Sequence, residues 1–322
     1  MVCFATGGTI ASIHEPEAGG PLPAITGTAL VEAVPELAEI ASMEVVQLAN
    51  SSSHLFTPSE VFAWSTRVHE RLAEDDTVGA VVTMGTATLE EAAYLFDLVL
   101  RDEKPVVFTG AMRSHDQIGA DGPRNLLAAV RTATTPGARG LGVLVVLNGE
   151  IHSARDVSKA DSDAVDAFVS RYGSLGRIYW TRSGDEVVIR RAGTRREHIA
   201  TETLEPRVAY VKTVLGADSS GLHAAIDAGA RGIVIEGFAG GEITPGMVEG
   251  VVRALRVGIS VVVAGRAPNG RPNDVWTEPG GGGWLRDLGV LSAGELSGPK
   301  ARIKLMLALG IGDDGMVRDH FG

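Results

Sequence analysis

The chain has 322 residues, 44% hydrophobic and 21% charged, an ordinary balance for a globular protein able to bury a sizeable core. Its 29 basic and 40 acidic side chains give a formal net charge of −11; so acidic a surface repels phosphate backbones, and with no basic patch to offset it nucleic acid is excluded as a partner. The longest apolar stretches, LGVLVVL and the run around ISVVVAG, fall far short of the roughly 20 residues that cross a bilayer, so no membrane partner is expected.

Short β-branched runs alternate with helix-length amphipathic segments from the start. VCFAT reads as a buried strand, TALVEAVPELAEI as a helix and MEVVQLA as a strand. A helix is expected over residues 58 to 74, with Thr57 as N-cap, Pro58 at the first position and Glu60 three residues after the cap. VGAVVT (strand), LEEAAYLFDLVLR (helix), PVVFTG (strand), a helix from Asp121 to about Thr134 and the strand GVLVVLNG follow. This alternation predicts a parallel sheet with helices on both faces. The charged stretch from 185 to 207, with the basic pairs Arg190-Arg191 and Arg195-Arg196, reads as a solvated linker. A second alternation then begins at VAYVKTV, with a helix from about Asp218, the strand GIVIEGF, a helix from about Thr244 and ISVVVAG. The PGGGG loop reads as mobile or tightly turning, and PKARIKLMLALG as a last helix with Pro299 near its start and Gly310 as C-cap. The fold class expected is α/β: a larger N-terminal domain (1–185) with a mainly parallel sheet and flanking helices, a linker (186–207), and a smaller C-terminal α/β domain (208–322).

The single cysteine, Cys3, rules out an intrachain disulfide and reads as a small core residue. No basic n-region or apolar h-region precedes the first strand, so no signal peptide is expected and the cytoplasm is the expected compartment. G-x-G-x-x-G after the first strand, G-x-x-x-x-G-K-[ST] and G-x-S-x-G are all absent, which weakens dinucleotide, nucleotide and serine-hydrolase readings. The eight histidines include no H-x-x-x-H pair, so neither a metal nor any other cofactor is expected.

Three segments carry candidate chemistry. Thr6-Gly7-Gly8-Thr9-Ile10 follows the first strand and places Thr9 where ligands bind in open parallel sheets. Gly85-Thr86-Ala87-Thr88 puts hydroxyls at another strand's carboxyl end, beside a helix N-terminus. Arg155-Asp156-Val157-Ser158-Lys159 supplies a lysine. Taken singly, each has a plain structural reading: a glycine turn, a helix cap, a solvated amine.

Together they resemble the bacterial L-asparaginase family. TGGTIAS is similar to its first signature, in which the second threonine is the nucleophile. TMGTATLEEAAYLFDL is similar to its second, usually T-H-G-T-D-T followed by an acidic pair. KPVVFTGAMR, DGPRNLLAAV, RDVSKADSDAVDAF and LSAGELSGPKARIKLMLAL extend the likeness over almost the whole chain. The resemblance implies two α/β domains, a homodimer or homotetramer with sites at the dimer contact, and a small amide as substrate. By motif position Thr9 becomes the nucleophile, Thr86 and Lys159 the second hydroxyl–amine pair, and Ser53 the holder of the substrate's α-carboxylate. His54 stands where a polar side chain is frequent, while Gly85 and Ala87 line the pocket. A lysine activates a hydroxyl only when neutral. At its reference pKa only roughly 0.04% of lysine is neutral at pH 7, so burial has to lower that pKa to about 7–8. Main-chain N–H groups near Thr9 and Ala87 are positioned to receive an oxyanion.

The sequence departs from the family pattern where the substrate's ammonium group is held. Ala87 occupies the aspartate's place, a loss worth about 2–5 kcal/mol for a buried charge pair. Met84 replaces the usual histidine and makes that wall less polar. No tyrosine lies between Thr9 and the first helix, and the lid ASIHEPEAGGPLPA offers His14, Glu15 and Glu17 instead. The PGGGG loop lies where some members contribute an acidic residue across the dimer. Three readings follow: an amidohydrolase whose substrate is not free L-asparagine; an asparaginase in which Glu242, Glu15 or a partner-chain carboxylate compensates; or a catalytically silent binding or assembly protein on this scaffold.

Overall fold

In the computed structural model, residues 1–182, 184–190, 197–312 and 314–321 are described. The chain divides into two units, Met1–His198 and Ile199–Gly322. In chain order the first contains β1 (Val2–Ala5), the hairpin β2 (Ser12–Glu15) and β3 (Gly20–Pro23), α1 (Gly27–Glu32), β4 (Glu44–Gln47) and α2 (Pro58–Leu72). Next come β5 (Ala80–Thr83), α3 (Leu89–Val99), β6 (Val106–Thr109), α4 (Gly122–Thr134) and β7 (Val143–Leu147). The unit closes with β8 (Glu150–Ser153), β9 (Val157–Lys159), β10 (Phe168–Ser170), β11 (Gly176–Thr181) and β12 (Gly184–Ile189).

Eight strands form one sheet in the order β12-β11-β8-β7-β6-β5-β1-β4. Strands β4, β1, β5, β6 and β7 run parallel, whereas β8, β11 and β12 join antiparallel. β1, β5, β6 and β7 are buried along their whole length, which is why they read as continuous apolar runs instead of alternating ones. Cys3, Val81, Val107, Leu144 and Val146 of these strands pack with Leu126, Ala129, Val130 and Ala133 of α4 into one core. α2 starts as its sequence predicts: Thr57 and Glu60 form both halves of a capping box.

Two stretches differ from their sequence reading. TALVEAVPELAEI is one short helix, α1, followed by a separate 3-10 turn at Pro35–Glu39. Pro35 disfavours helical backbone at Val34, which sits at φ −127, ψ 76. Residues 186–189, read as the start of a linker, belong to β12, the sheet's edge strand. Its charges obscured the pattern: Val187 and Ile189 pack on the core, while Asp185 pairs with Arg124 at 2.5 Å. Charged residues suit an edge strand because they discourage further pairing. Of the two basic pairs expected beyond it, only Arg190 lies among the described residues.

The second unit has β13 (Val208–Lys212), α5 (Ser220–Asp227), β14 (Gly232–Gly237), α6 (Val248–Arg256) and β15 (Ser260–Gly265). Then follow α7 (Gly282–Asp287), β16 (Leu291–Ser292), α8 (Gly298–Gly310) and α9 (Asp314–Phe321). Its four strands are parallel in chain order. PGGGG turns tightly: a Cβ on Gly281 would lie 2.6 Å from the Trp276 carbonyl oxygen, and one on Gly282 only 1.7 Å from that of Asn273. The larger unit with its mainly parallel sheet and the smaller α/β unit agree with the fold class read from the sequence.

Candidate active site

β1 has β4 on one side and β5 on the other. The chain leaving β1 turns toward one flank of the sheet and the chain leaving β5 toward the opposite flank. The chain goes on from β1 to β4 and from β5 to β6, on opposite sides of this pair, and such a switch point, beyond the carboxyl ends of the strands, is where open α/β sheets bind ligands. Residues 6–9 and 84–88 are the loops that leave β1 and β5.

Their backbones touch. Gly7 and Gly8 have φ +95 and +81; a Cβ on Gly7 would lie 2.4 Å from the Ser51 nitrogen, and one on Gly8 2.3 Å from Gly85 Cα. A Cβ on Gly85 would in turn meet Ser53 Oγ at 2.8 Å. Only glycine satisfies both the positive φ and the close approach. Main-chain bonds from Gly8 N to Ser51 O (3.0 Å) and from Ser51 N to Thr6 O (3.1 Å) lock the β1 and β4 loops together. Thr9 opens a 3-10 turn over Thr9–Ala11 on this platform, half-buried, and Ser12 Oγ fastens the turn by donating to the Gly8 carbonyl at 2.9 Å.

Ser53 is buried, 2% exposed. Its Oγ accepts from Thr88 N at 3.3 Å and its carbonyl accepts from Thr88 Oγ1 at 3.1 Å. The Thr88 hydroxyl thus ties the β4 loop to the start of α3 and does not cap the helix. His54 beside it is exposed. Thr86 is buried, 6% exposed, and its Oγ1 accepts from Lys159 Nζ at 2.8 Å. Lys159 ends β9, paired antiparallel with β10. Burial lowers its pKa below the ordinary 10.5, and the Asp161 carboxylate opposes part of that shift.

Ala87 is exposed, whereas Met84, expected on the same wall, is buried in the core at 1% exposure. Among the described residues the N–H groups of Thr9 and Ala87 donate to no protein acceptor. Unpaired main-chain donors at a ligand crevice are suited to a developing oxyanion. The lid between Thr9 and α1 is the β2–β3 hairpin, with His14 and Glu17 exposed and Glu15 half-buried. His14 N donates to Asp116 Oδ2 at 2.7 Å, anchoring the hairpin to the loop after β6.

Two groups, one anchoring the hairpin and one beside Lys159, escaped the sequence reading. Asp116 has no local signature. Glu90, the first of the acidic pair in TMGTATLEE, accepts from the Lys159 main-chain N–H; the pair was visible as part of the motif, but its partner lies 69 residues away.

The profile described as "Asparaginase, N-terminal" matches residues 1–193, and that described as "Glutaminase/Asparaginase C-terminal domain" matches residues 207–319. The chain belongs to the asparaginase family. It is 37% identical to L-asparaginase 2 of Bacillus subtilis over 95% of this chain and 81% of that protein. It is 34% identical to a probable periplasmic L-asparaginase of Haemophilus influenzae, covering 96% and 88%. The crystal structure of a probable cytoplasmic L-asparaginase from Campylobacter jejuni superposes with a TM-score of 0.87 at 31% identity, over 99% of this chain and 98% of that one. This asparaginase-family chain is a hydrolase acting on amides. The Campylobacter jejuni protein is named a probable cytoplasmic enzyme and the Haemophilus influenzae one a probable periplasmic enzyme, and among the described residues no helix is long and apolar enough to cross a membrane.

Proposed function

We propose that the chain hydrolyses a side-chain-type amide through a threonyl ester on Thr9, and that its preferred substrate is not free L-asparagine. Thr9 Oγ1 attacks the amide carbonyl carbon, and its proton passes to the Thr86–Lys159 pair. The Thr9 and Ala87 N–H groups receive the oxyanion. On collapse the C–N bond breaks, the proton goes to the departing nitrogen, and ammonia or an amine leaves. Water then cleaves the ester and regenerates Thr9. Ser53 and His54 bind the substrate's carboxylate end, while Gly85 lets its backbone approach. The observation that carries this reading is the 2.8 Å hydrogen bond from Lys159 Nζ to Thr86 Oγ1, one residue after the Gly85 backbone against which Gly8 rests.

The substrate class follows from Ala87, which brings no carboxylate for an α-ammonium group. The carboxylates beside Lys159 are engaged elsewhere: Glu90 with the Lys159 N–H, and Asp161 with the N–H groups of Asp163 and Ala164. An amide whose α-amino group is acylated or absent suits that pocket. We further infer a homodimer or homotetramer, with sites at the dimer contact, working in the cytoplasm; a single buried cysteine fits a reducing compartment. A second reading, L-asparagine itself with a compensating carboxylate from Glu15, Glu242 or the partner chain, is favoured by the names of the relatives.

The deciding assay is ammonia or amine release from L-asparagine and from a panel of N-acylated and α-deamino amides, with Thr9→Ala as blank. The expected outcome is faster turnover of a panel amide than of L-asparagine. Fastest turnover of L-asparagine would leave the chemistry standing and overturn the substrate class. No release above the blank from any amide would overturn the threonyl-ester chemistry on Thr9. Ala87→Asp is expected to raise kcat/KM on L-asparagine by up to about fivefold, the scale of an ion pair at a position as exposed as Ala87, and to lower it on the panel amide. An unchanged ratio between the two substrates refutes the role given to Ala87.

The pH profile tests Lys159. Activity requires its neutral form, so kcat should rise with pH through a midpoint below the ordinary lysine value. Asp161 favours the charged form, so Asp161→Asn should move that rising limb toward lower pH. A limb that stays put, or moves to higher pH, shows that another group is titrating.

A further inference from the structure

We propose that Glu90 is a positioning residue that grips the main chain of Lys159 and so holds its amine on Thr86. The inference rests on the roles given above to Thr86 and Lys159.

β9 and β10 form a ribbon of only two strands, with Lys159 opposite Phe168 and Val157 opposite Ser170. In an antiparallel pair, residues alternate between those that exchange main-chain hydrogen bonds with the partner and those whose N–H points away from it. Ala160 N donates to Ala167 O at 2.7 Å, so the Ala160–Ala167 pair is a bonded one. By alternation the Lys159–Phe168 pair is not, and the Lys159 N–H faces outward from the ribbon. A half-buried outward N–H needs an acceptor, and Glu90 Oε2 supplies it.

Glu90 lies in the first turn of α3, four residues after Thr86. One short segment therefore holds Lys159 at both ends, through Glu90 at the main chain and through Thr86 at Nζ. A lysine side chain has four rotatable bonds, so a hydrogen bond at its tip alone does not set where its backbone lies. Fixing the N–H as well leaves the side chain a short, defined span to the Thr86 hydroxyl. The same grip keeps the amine in its partly desolvated position. A carboxylate accepting from a main-chain N–H makes a charge-assisted bond, stronger than its neutral counterpart, but an amide side chain preserves the acceptor.

The test compares Glu90→Ala with Glu90→Gln in the full chain. Its first readout needs no substrate: competitive acylation with acetic anhydride across pH, with the Lys159 peptide quantified by mass spectrometry, reports the titration midpoint of that one amine. Glu90→Ala should move the midpoint up toward the ordinary lysine value as the amine reaches water, and Glu90→Gln should leave it near that of the unaltered protein. The second readout is steady-state turnover of the best amide. Glu90→Ala should lower kcat about 10- to 100-fold, the scale of a misplaced catalytic group, with KM changed by less than about threefold, and Glu90→Gln should restore most of kcat. An unchanged Lys159 midpoint in Glu90→Ala overturns the inference, as does a Gln variant as impaired as the Ala variant, since then the charge and not the acceptor matters. Lys159→Met separates this inference from the reading beneath it: full activity there removes the role of Lys159 itself, whereas lost activity there with full activity in Glu90→Ala removes only the role of Glu90.

Discussion

Thr9→Ala is expected to lower kcat on the preferred amide about 10⁴-fold or more, leaving KM within a few-fold of the unaltered protein. Deleting the nucleophile from a site that works through a covalent intermediate removes the reaction path, and what persists comes from binding and the oxyanion donors. Here those donors are main-chain N–H groups, including that of residue 9 itself, so alanine keeps them. The half-buried 3-10 turn also tolerates the change, since Thr9 makes no side-chain hydrogen bond among the described residues that the turn depends on. Lys159→Met should cost less, about 10²- to 10⁴-fold, the usual contribution of a general base. The double variant should lose no more than Thr9→Ala alone, because a base has nothing to act on once the hydroxyl is gone. Single-turnover and steady-state ammonia release, with residual rates read against a chemically inactivated control, check this directly. More than about 1% of the original rate in Thr9→Ala assigns the nucleophile elsewhere.

The second large effect is on stability. Gly8→Ala is expected to destabilise the first unit by about 2–6 kcal/mol. Gly8 sits at φ 81, ψ −172, a region open essentially to glycine alone, and forcing another residue there costs about 1–3 kcal/mol. Its Cβ would also stand 2.3 Å from Gly85 Cα. The obstacle is backbone, which moves only if the β1 and β5 loops separate, and overpacking of that kind adds about 1–3 kcal/mol. Gly19 is the internal control: its φ is +71, but a Cβ there meets nothing within 4 Å, so Gly19→Ala should show the conformational part alone, about 1–2 kcal/mol. Urea unfolding at unchanged m measures both. Equal losses in the two variants would mean the loops are not in the close contact described. Gly8→Ala should also lose activity beyond its loss of stability, since separating these loops carries Thr9 away from Thr86.

Residue by residue, what was readable depended on how far apart the cooperating groups lie in the chain. The strands β1, β5, β6 and β7 were legible because burial on both faces makes each a short unbroken apolar run, and α2 because its capping box is written in four consecutive residues. Thr9 and Thr86 were legible as hydroxyls at strand ends, and resemblance to a family placed Lys159 with them. Residues 186–189 were misread because charge density on an edge strand looks like charge density in a linker, and only pairing with β11 tells them apart.

The sequence by itself determined the α/β alternation, the two glycine-rich turns, the absence of an acidic residue at position 87 and the supply of Thr9, Thr86 and Lys159. These are local properties, set by side-chain period, backbone freedom and residue identity within a few positions. Only the tertiary structure decided that Lys159 Nζ reaches Thr86 across 73 residues, that Glu90 takes the Lys159 N–H, that Met84 turns into the core while Ala87 faces out, and that Gly8 rests on Gly85. Those follow from strand order and from the register of the β9–β10 ribbon, in which a slip of one residue would turn every side chain to the opposite face.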